Sequence, residues 1–253
     1  DTTENLYIEG DNLEVLKLHQ IKENLDTYID LITNKEKTVV DALYELTKLE
    51  IKLKEEKATN ACVKVANFPF IKTLDDFDFT FQPSINQDKI RDLHTLRFLE
   101  KKENVLLLGN SGVGKTHLSV SIGIAAAKKR NSTYFINCHD LLLNLKKAHL
   151  ENRLEARLKH YAKYKLLIID EIGYLPISKE EANMFFQLIN KRYEKSSTII
   201  TTNKEFSKWH EIFGDITIAN AILDRLLHHS TVEKITGKSY RVKDKIFTNN
   251  SQK

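Results

Sequence analysis

Asn104-Val105-Leu106-Leu107-Leu108-Gly109-Asn110-Ser111-Gly112-Val113-Gly114-Lys115-Thr116-His117 is the stretch that decides the fold. Its first five residues are a short apolar strand. Residues 109–116 read G-x-x-x-x-G-K-T, a P-loop. From His117 to Arg130 the composition is helical. Strand, glycine loop and helix in that order form the context in which the motif has meaning. The loop glycines let backbone N–H groups face phosphates at a helix N-terminus. The spacing therefore predicts binding of a nucleoside triphosphate by Gly109, Asn110, Ser111, Gly112, Val113, Gly114, Lys115, Thr116 and His117. Lys115 can reach the β- and γ-phosphates, and Thr116 can place its hydroxyl on Mg²⁺.

Downstream, strand and helix patterns alternate. Strands are expected at 104–108, 133–137, 166–170, 198–202 and 232–236, with helices between them. That predicts an α/β fold: a five-stranded parallel sheet flanked by helices. Leu166-Leu167-Ile168-Ile169-Asp170-Glu171 is an apolar strand ending in two carboxylates, the Walker B pattern. An open α/β sheet presents its site at strand C-termini. Asp170 is expected to hold Mg²⁺, and Glu171 to orient or deprotonate the attacking water. Thr198-Ile199-Ile200-Thr201-Thr202-Asn203 is another apolar strand, ending in Thr-Thr-Asn, and a polar side chain there can reach the γ-phosphate or the attacking water. Arg225 lies in a helical stretch before the last strand and Arg241 lies after it. Phosphoryl transfer needs positive charge where the γ-phosphate leaves, so both are candidates.

This set resembles the AAA+ superfamily in its initiator and helicase-loader branch. The order G-N-S-G-V-G-K-T-H, I-D-E-I-G-Y-L-P, T-T-N-K and L-D-R-L-L-H…G-K-S-Y-R is similar to the IstB transposition-helper ATPases of bacterial insertion sequences, over about residues 17–248. The resemblance implies ATP and Mg²⁺ as ligands, Asn203 as sensor I, and Arg241 as sensor II acting in cis. It implies Arg225 as an arginine finger acting on ATP held by a neighbouring subunit, hence a homo-oligomer with shared sites. It further implies assembly on duplex DNA and stimulation of a separate DDE transposase. A DnaC-type helicase loader shares the ATPase module and would prefer single strands. A nucleotide-gated scaffold without hydrolysis is a third reading, opposed by the intact Glu171.

The chain has 253 residues with 41% hydrophobic and 29% charged content. Eight glycines and three prolines leave little room for disordered linkers. No apolar run approaches the roughly 20 residues of a membrane span, and the two cysteines, Cys62 and Cys138, fit a reducing cytoplasm better than a disulfide framework. Residues 1–16 hold five acids and no base, so the rest carries +9 against a net +4 for the chain. Asn5 to Lys17 resembles a segment near the start of type III restriction-system DNA methyltransferases, and residues 1–16 read as an appended or borrowed, non-native leader. No signal peptide is expected there.

The expected domains are the leader at 1–16, a helical N-terminal domain at 17–66 and the ATPase domain at 67–253. Within 17–58 a helical hairpin is expected: Leu18, Ile21, Leu25, Ile29 and Ile32 form one stripe, and Val39, Leu43, Leu46, Leu49 and Leu53 a second. Lys48, Lys52, Lys54 and Lys57 are a solvated face or a contact with DNA or a subunit. Phe77 and Phe79 either stack on an adenine ring or pack in the core. Basic residues cluster around the helical region 139–163. Lys146, Lys147, Arg153 and Arg157 are the candidates for phosphate contact, giving largely sequence-independent, salt-sensitive DNA binding. The bland alternative is a solvated helix face.

Overall fold

The computed structural model describes residues 17–242; the expected leader at 1–16 lies outside them. The chain divides into two compact units, residues 1–61 and 62–253.

In the first unit, α1 (His19–Thr33) and α2 (Val39–Val65) flank a polar turn. Helix α2 runs beyond the unit boundary and past the expected end at residue 58. Its start is fixed by Thr38, whose hydroxyl accepts from Asp41 N (3.2 Å) and donates to the Asp41 carboxylate (2.6 Å). The side chain of Glu50 closes the other helix: its Oε2 accepts from the backbone N–H of Gln20 (2.7 Å) at the opening turn of α1, where an anion is favoured. Ala42, Leu46 and Glu50, four residues apart, are the buried face of α2. The expected second stripe is therefore only partly inward. Leu46 is buried, whereas Val39 and Leu43 are 55% and 57% exposed.

The second unit is built on a parallel sheet in the order β2-β3-β4-β1-β5. Its strands are β1 (Asn104–Gly109), β2 (Thr133–Asn137), β3 (Leu166–Ile172), β4 (Ser197–Thr202) and β5 (Ser230–Ile235). Successive side chains of a strand point to opposite faces, and two cores result. Val105, Leu107, Leu166, Ile168 and Ile199 pack with α3 (Gln87–Thr95), α4 (Arg97–Glu100) and α5 (Lys115–Lys128). Leu106, Leu108, Leu167, Ile169 and Ile200 pack on the other face. There they meet α6 (Cys138–Leu150), α7 (Leu154–Ala162), α8 (Lys179–Arg192), α9 (Trp209–Phe213) and α10 (Ile216–Leu227). The expected sheet flanked by helices is thus present. Strand β5 starts two residues earlier than expected, because its polar opening Ser230-Thr231 still pairs with Asn104-Val105. Among the described residues no helix is long and apolar enough to cross a membrane.

Residues 66–86 form a strap rather than an extended linker. Phe68, Phe70, Phe77 and Phe79 pack against the α5 side of the sheet, so Phe77 and Phe79 do serve the core. The strap is stapled to the chain after β5. Ser84 Oγ donates to Thr236 O and accepts from Thr236 N, and Asn86 caps α3 through Lys89 N (3.0 Å).

Candidate functional site

Parallel strands bring their C-termini to one edge, and there Gly109, Asp170 and Thr202 end or nearly end β1, β3 and β4. The loop 109–114 wraps into α5, whose first residues are Lys115 and Thr116. Gly112 and Gly114 have φ of +80° and +101°, the left-handed region that favours glycine. A side chain at either position would also collide, with Ser239 at Gly112 and with the Phe77 ring at Gly114. The loop is therefore shaped both by its own glycines and by the strap and the C-terminal arm that press on it. Tyr240 N donates to Gly112 O (2.8 Å). The cavity above it, about 260 Å³, is lined by loop residues Gly112 to His117 and by Phe70, Phe77, Gln82, Tyr240 and Arg241.

Beside it, Asp170 is 4% exposed and lines an adjoining cavity with Thr116, Asn137, Glu171 and Arg241. Thr201 Oγ1 donates to its Oδ1 (2.5 Å), and Thr116 Oγ1 lies 3.0–3.1 Å from both carboxylate oxygens. Burial raises the Asp170 pKa above the ordinary carboxylate range, against the pull of the two hydroxyls. Lys115 is 6% exposed, and its Nζ donates to Gly109 O and Asn110 O, both at 2.7 Å. Burial lowers its pKa, partly offset by the nearby Asp170 and Glu171 carboxylates. The donors gathered here are a threonine hydroxyl and a carboxylate, a hard oxygen set that suits Mg²⁺. The loop amides and Lys115 suit an anion beside it.

Glu171 follows at φ +63°, where the pairing of β3 with β4 slips between Ile169 and Ile172. Its N–H, released from the ladder, donates to Thr201 Oγ1 (2.9 Å). The bulge turns the Glu171 side chain to the cavity side, and Asn137 Nδ2 donates to its Oε2 (2.7 Å). Non-glycine residues in this region carry a strain of order 1 kcal/mol or more and concentrate at functional sites. The expected strand 166–170 thus extends to Ile172, with the bulge at the carboxylate pair.

The other expected site residues divide. Arg241 lines the cavity, in the short helical turn Tyr240–Val242. Asn203 does not; it lines a neighbouring cavity with Gly109 and Asn110, and among the described residues its Oδ1 is buried without a partner. Thr201, on the strand that Asn203 follows, is the β4 residue that touches Asp170. Arg225 lies on α10 away from the cavity. Its guanidinium rests over the Phe186 ring (4.8 Å), its Nε donates to Asn190 Oδ1 (2.8 Å) and its Nη1 to Ala221 O (3.0 Å). Lys146 and Lys147 are exposed on α6, Arg153 precedes α7 in an ion pair with Glu151, and Arg157 is half-buried. Glu155 sits among them, paired with Lys159 and Lys191, so the basic face is diluted by acids.

Sequence reasoning missed Asn137 and Gln82, and could not choose Thr201 within Thr-Thr-Asn. Asn137 ends β2 at the same sheet edge as the carboxylates, and that was the available signal. The model for IstB-like ATP binding proteins matches residues 11–248. The chain belongs to this family. It is 61% identical over 233 residues to the insertion sequence IS232 ATP-binding protein of Bacillus thuringiensis subsp. berliner, covering 92% of this chain and 93% of that one. To the IS21 counterpart of Pseudomonas aeruginosa it is 44% identical, covering 92% and 88%. Among solved structures, the crystal structure of DnaI aligns with a TM-score of 0.54 at 23% identity, over 65% of this chain and 90% of that one. AMPPCP-bound DnaA from Aquifex aeolicus aligns with 0.57 at 16% identity, over 73% and 56%. The fold is that of the P-loop AAA+ ATPases. The family match begins at Asp11, ahead of the residue 17 from which the motifs carried the resemblance.

Proposed function

We propose that this protein is an ATP-dependent helper of insertion-sequence transposition: it binds ATP and Mg²⁺, assembles on duplex DNA, and recruits or stimulates a DDE transposase, with hydrolysis regulating the assembly. The observation that carries the ATPase reading is the convergence of Thr116, Asp170 and Thr201 under a glycine cradle, with Glu171 held beside them by a bulge. The transposition reading is supported by the match to insertion-sequence ATP-binding proteins.

In this reading the amides of residues 110–116 surround the phosphates, and Lys115 gives up its carbonyl partners for the β- and γ-oxygens. Thr116 and Asp170 hold Mg²⁺, which neutralises phosphate charge when bound. Glu171 accepts the proton of the attacking water, and Asn137 keeps that carboxylate aimed. Asn203, just past β4, approaches from the neighbouring cavity beside Gly109 and Asn110, and Arg241 from the C-terminal arm. Arg225 acts on a neighbouring subunit's ATP, consistent with its place away from the chain's own cavity. Lys146, Lys147, Arg153 and Arg157 contact DNA phosphates.

The test is binding of random-sequence duplex and equal-length single strands with ATP·Mg²⁺, ADP or no nucleotide, alongside Lys115→Ala and a double charge reversal at Lys146 and Lys147. Cooperative duplex binding that needs ATP and vanishes in Lys115→Ala is expected. The double reversal is expected to weaken binding and flatten its salt dependence by roughly one unit of slope for each phosphate no longer neutralised. A preference for single strands, or indifference to nucleotide, overturns the transposition-helper reading in favour of a helicase loader or a passive scaffold.

A further inference from the structure

At the edge of the sheet opposite the nucleotide site, where β1 and β5 begin, two imidazoles and a carboxylate face one another. Tyr193 and Glu194 follow the last residue of α8, and His228 and His229 follow the last residue of α10. His228 Nδ1 lies 3.8 Å from Glu194 Oε1, and His229 Nε2 lies 3.7 Å from the same oxygen. The two rings are 4.0 Å apart between centroids. Among the described residues this is the one group of three His, Cys, Asp or Glu side chains whose ligand atoms all lie within 4.8 Å of one another.

The backbone under the cluster is tied to three elements. Tyr193 N donates to Ile189 O (2.9 Å) at the end of α8, His228 N to Asp224 O (3.1 Å) at the end of α10, and Asn104 N at the start of β1 to His229 O (2.8 Å). The three side chains are exposed, so they can turn toward one another without disturbing the core. As a charge pair the arrangement is poor. At these distances neither histidine hydrogen-bonds Glu194, and exposed pairs contribute little. A tetrahedral metal accounts for it better. With metal–ligand bonds of about 2.0–2.2 Å, two ligand atoms stand about 3.4 Å apart. Each nitrogen then has only a few tenths of an ångström to close on the carboxylate oxygen.

We propose that Glu194, His228 and His229 form a binding site for a divalent transition-metal ion of the Zn²⁺ class, completed by water. Two imidazoles and one carboxylate favour Zn²⁺, Ni²⁺ or Co²⁺ over Mg²⁺, which suits the hard oxygens of Thr116 and Asp170 at the other edge. Tyr193 Oη, 2.7 Å from His228 Nδ1, also interacts with Glu194. As the metal takes Nδ1, that hydroxyl passes to the carboxylate and orients it, the usual work of an outer-shell partner. The ion ties the end of α8 to the end of α10. Arg225, three residues before His228, already joins the same two helices through Asn190.

The test is a calorimetric titration of Zn²⁺ alone into the full chain, untagged and without nucleotide. Glu194→Gln and the double variant His228→Ala/His229→Ala are titrated beside it. These are surface substitutions, so the variants are expected to melt close to the native temperature. The native chain is expected to take up a single Zn²⁺ that a large excess of Mg²⁺ does not displace. Glu194→Gln is expected to weaken uptake at least about 10-fold, and the double variant to abolish saturable binding. Zn²⁺ should raise the melting temperature of the native chain and not that of the double variant. No saturable uptake by the native chain overturns the site. So does equal affinity in the double variant, which would send the ion to Cys62 or to other histidines, and so does displacement by Mg²⁺. No arm reads nucleotide binding, so the result stands apart from the ATPase reading.

Discussion

At the N-terminal ends of β3 and β4, Arg192 is 1% exposed and every nitrogen of its guanidinium has an acceptor. Nε donates to Thr198 Oγ1, Nη1 to the carbonyls of Tyr161, Ala162 and Tyr164, and Nη2 to Ser197 O. At the C-terminal ends of the same two strands, Asp170 is 4% exposed with two hydroxyl partners, and Lys115 is 6% exposed on two carbonyls. Both ends bury charge in a setting where charge is expensive. The lower end spends its donors completely on local backbone and ties the chain before β3 to the start of β4. The upper end keeps an acid and a base apart, each on weak neutral partners that an incoming phosphate or cation can replace. A buried ion that is fully satisfied holds the sheet together; one that is half satisfied is ready for a ligand.

The largest expected effect tests the upper end through its chemistry. Glu171→Gln keeps the size of the side chain and removes the base. Turnover of ATP is expected to fall about 10²- to 10⁴-fold, with nucleotide affinity and melting temperature close to those of the native chain. A steady-state phosphate-release assay beside a thermal melt reads both. A variant that hydrolyses ATP at the native rate would strip Glu171 of its role.

The next effect tests the lower end. Arg192→Met fills similar volume but leaves four carbonyls and a hydroxyl without a donor. Breaking such a buried network costs about 3–5 kcal/mol. Denaturant unfolding is expected to show that loss, while ATP affinity per folded molecule stays unchanged. Burial pushes the Arg192 pKa down to about 9, so the side chain keeps its charge at neutral pH. A loss of nucleotide binding in the folded variant would join the two ends and break the comparison.

How far each end could be read from sequence follows from the same contrast. The upper end was legible because phosphate chemistry demands fixed residue types at fixed spacing: Gly112, Gly114, Lys115, Thr116 and the Asp170-Glu171 pair. The five-stranded sheet followed from apolar runs that alternate with helical ones. Arg192 was not legible, because its partners are carbonyls that any residue provides. Asn137, Thr201 and Gln82 were hidden for a related reason. They reach the site from separate strands and a strap, and only the order β2-β3-β4-β1-β5 and the staple at Ser84 bring them together. The α2 stripe misled where Val39 and Leu43 lie 55% and 57% exposed, since apolar periodicity marks a face without showing what covers it.

The smallest effect runs in the opposite direction. Burial raises the pKa of Asp170, so the native state holds that proton more tightly than the unfolded chain does. For a carboxyl with a raised native pKa, stability is greatest below the unfolded value near 3.9. It is lost as pH rises from there through the native value, and above that window the ionised side chain is a standing cost. Asp170→Asn removes the charge and keeps groups that can bond Thr116 and Thr201. At pH 7, without nucleotide or Mg²⁺, the variant is expected to be more stable by about 1 kcal/mol, a rise of about 2–4 °C in melting temperature. The gain should shrink as pH falls through the raised native value, because the native carboxyl is itself neutral below it. The same variant is expected to lose the Mg²⁺ dependence of nucleotide binding. If the native Asp170 chain proves the more stable at pH 7, the two hydroxyls satisfy the carboxylate as fully as the carbonyls satisfy Arg192, and the upper end is no longer the unspent one.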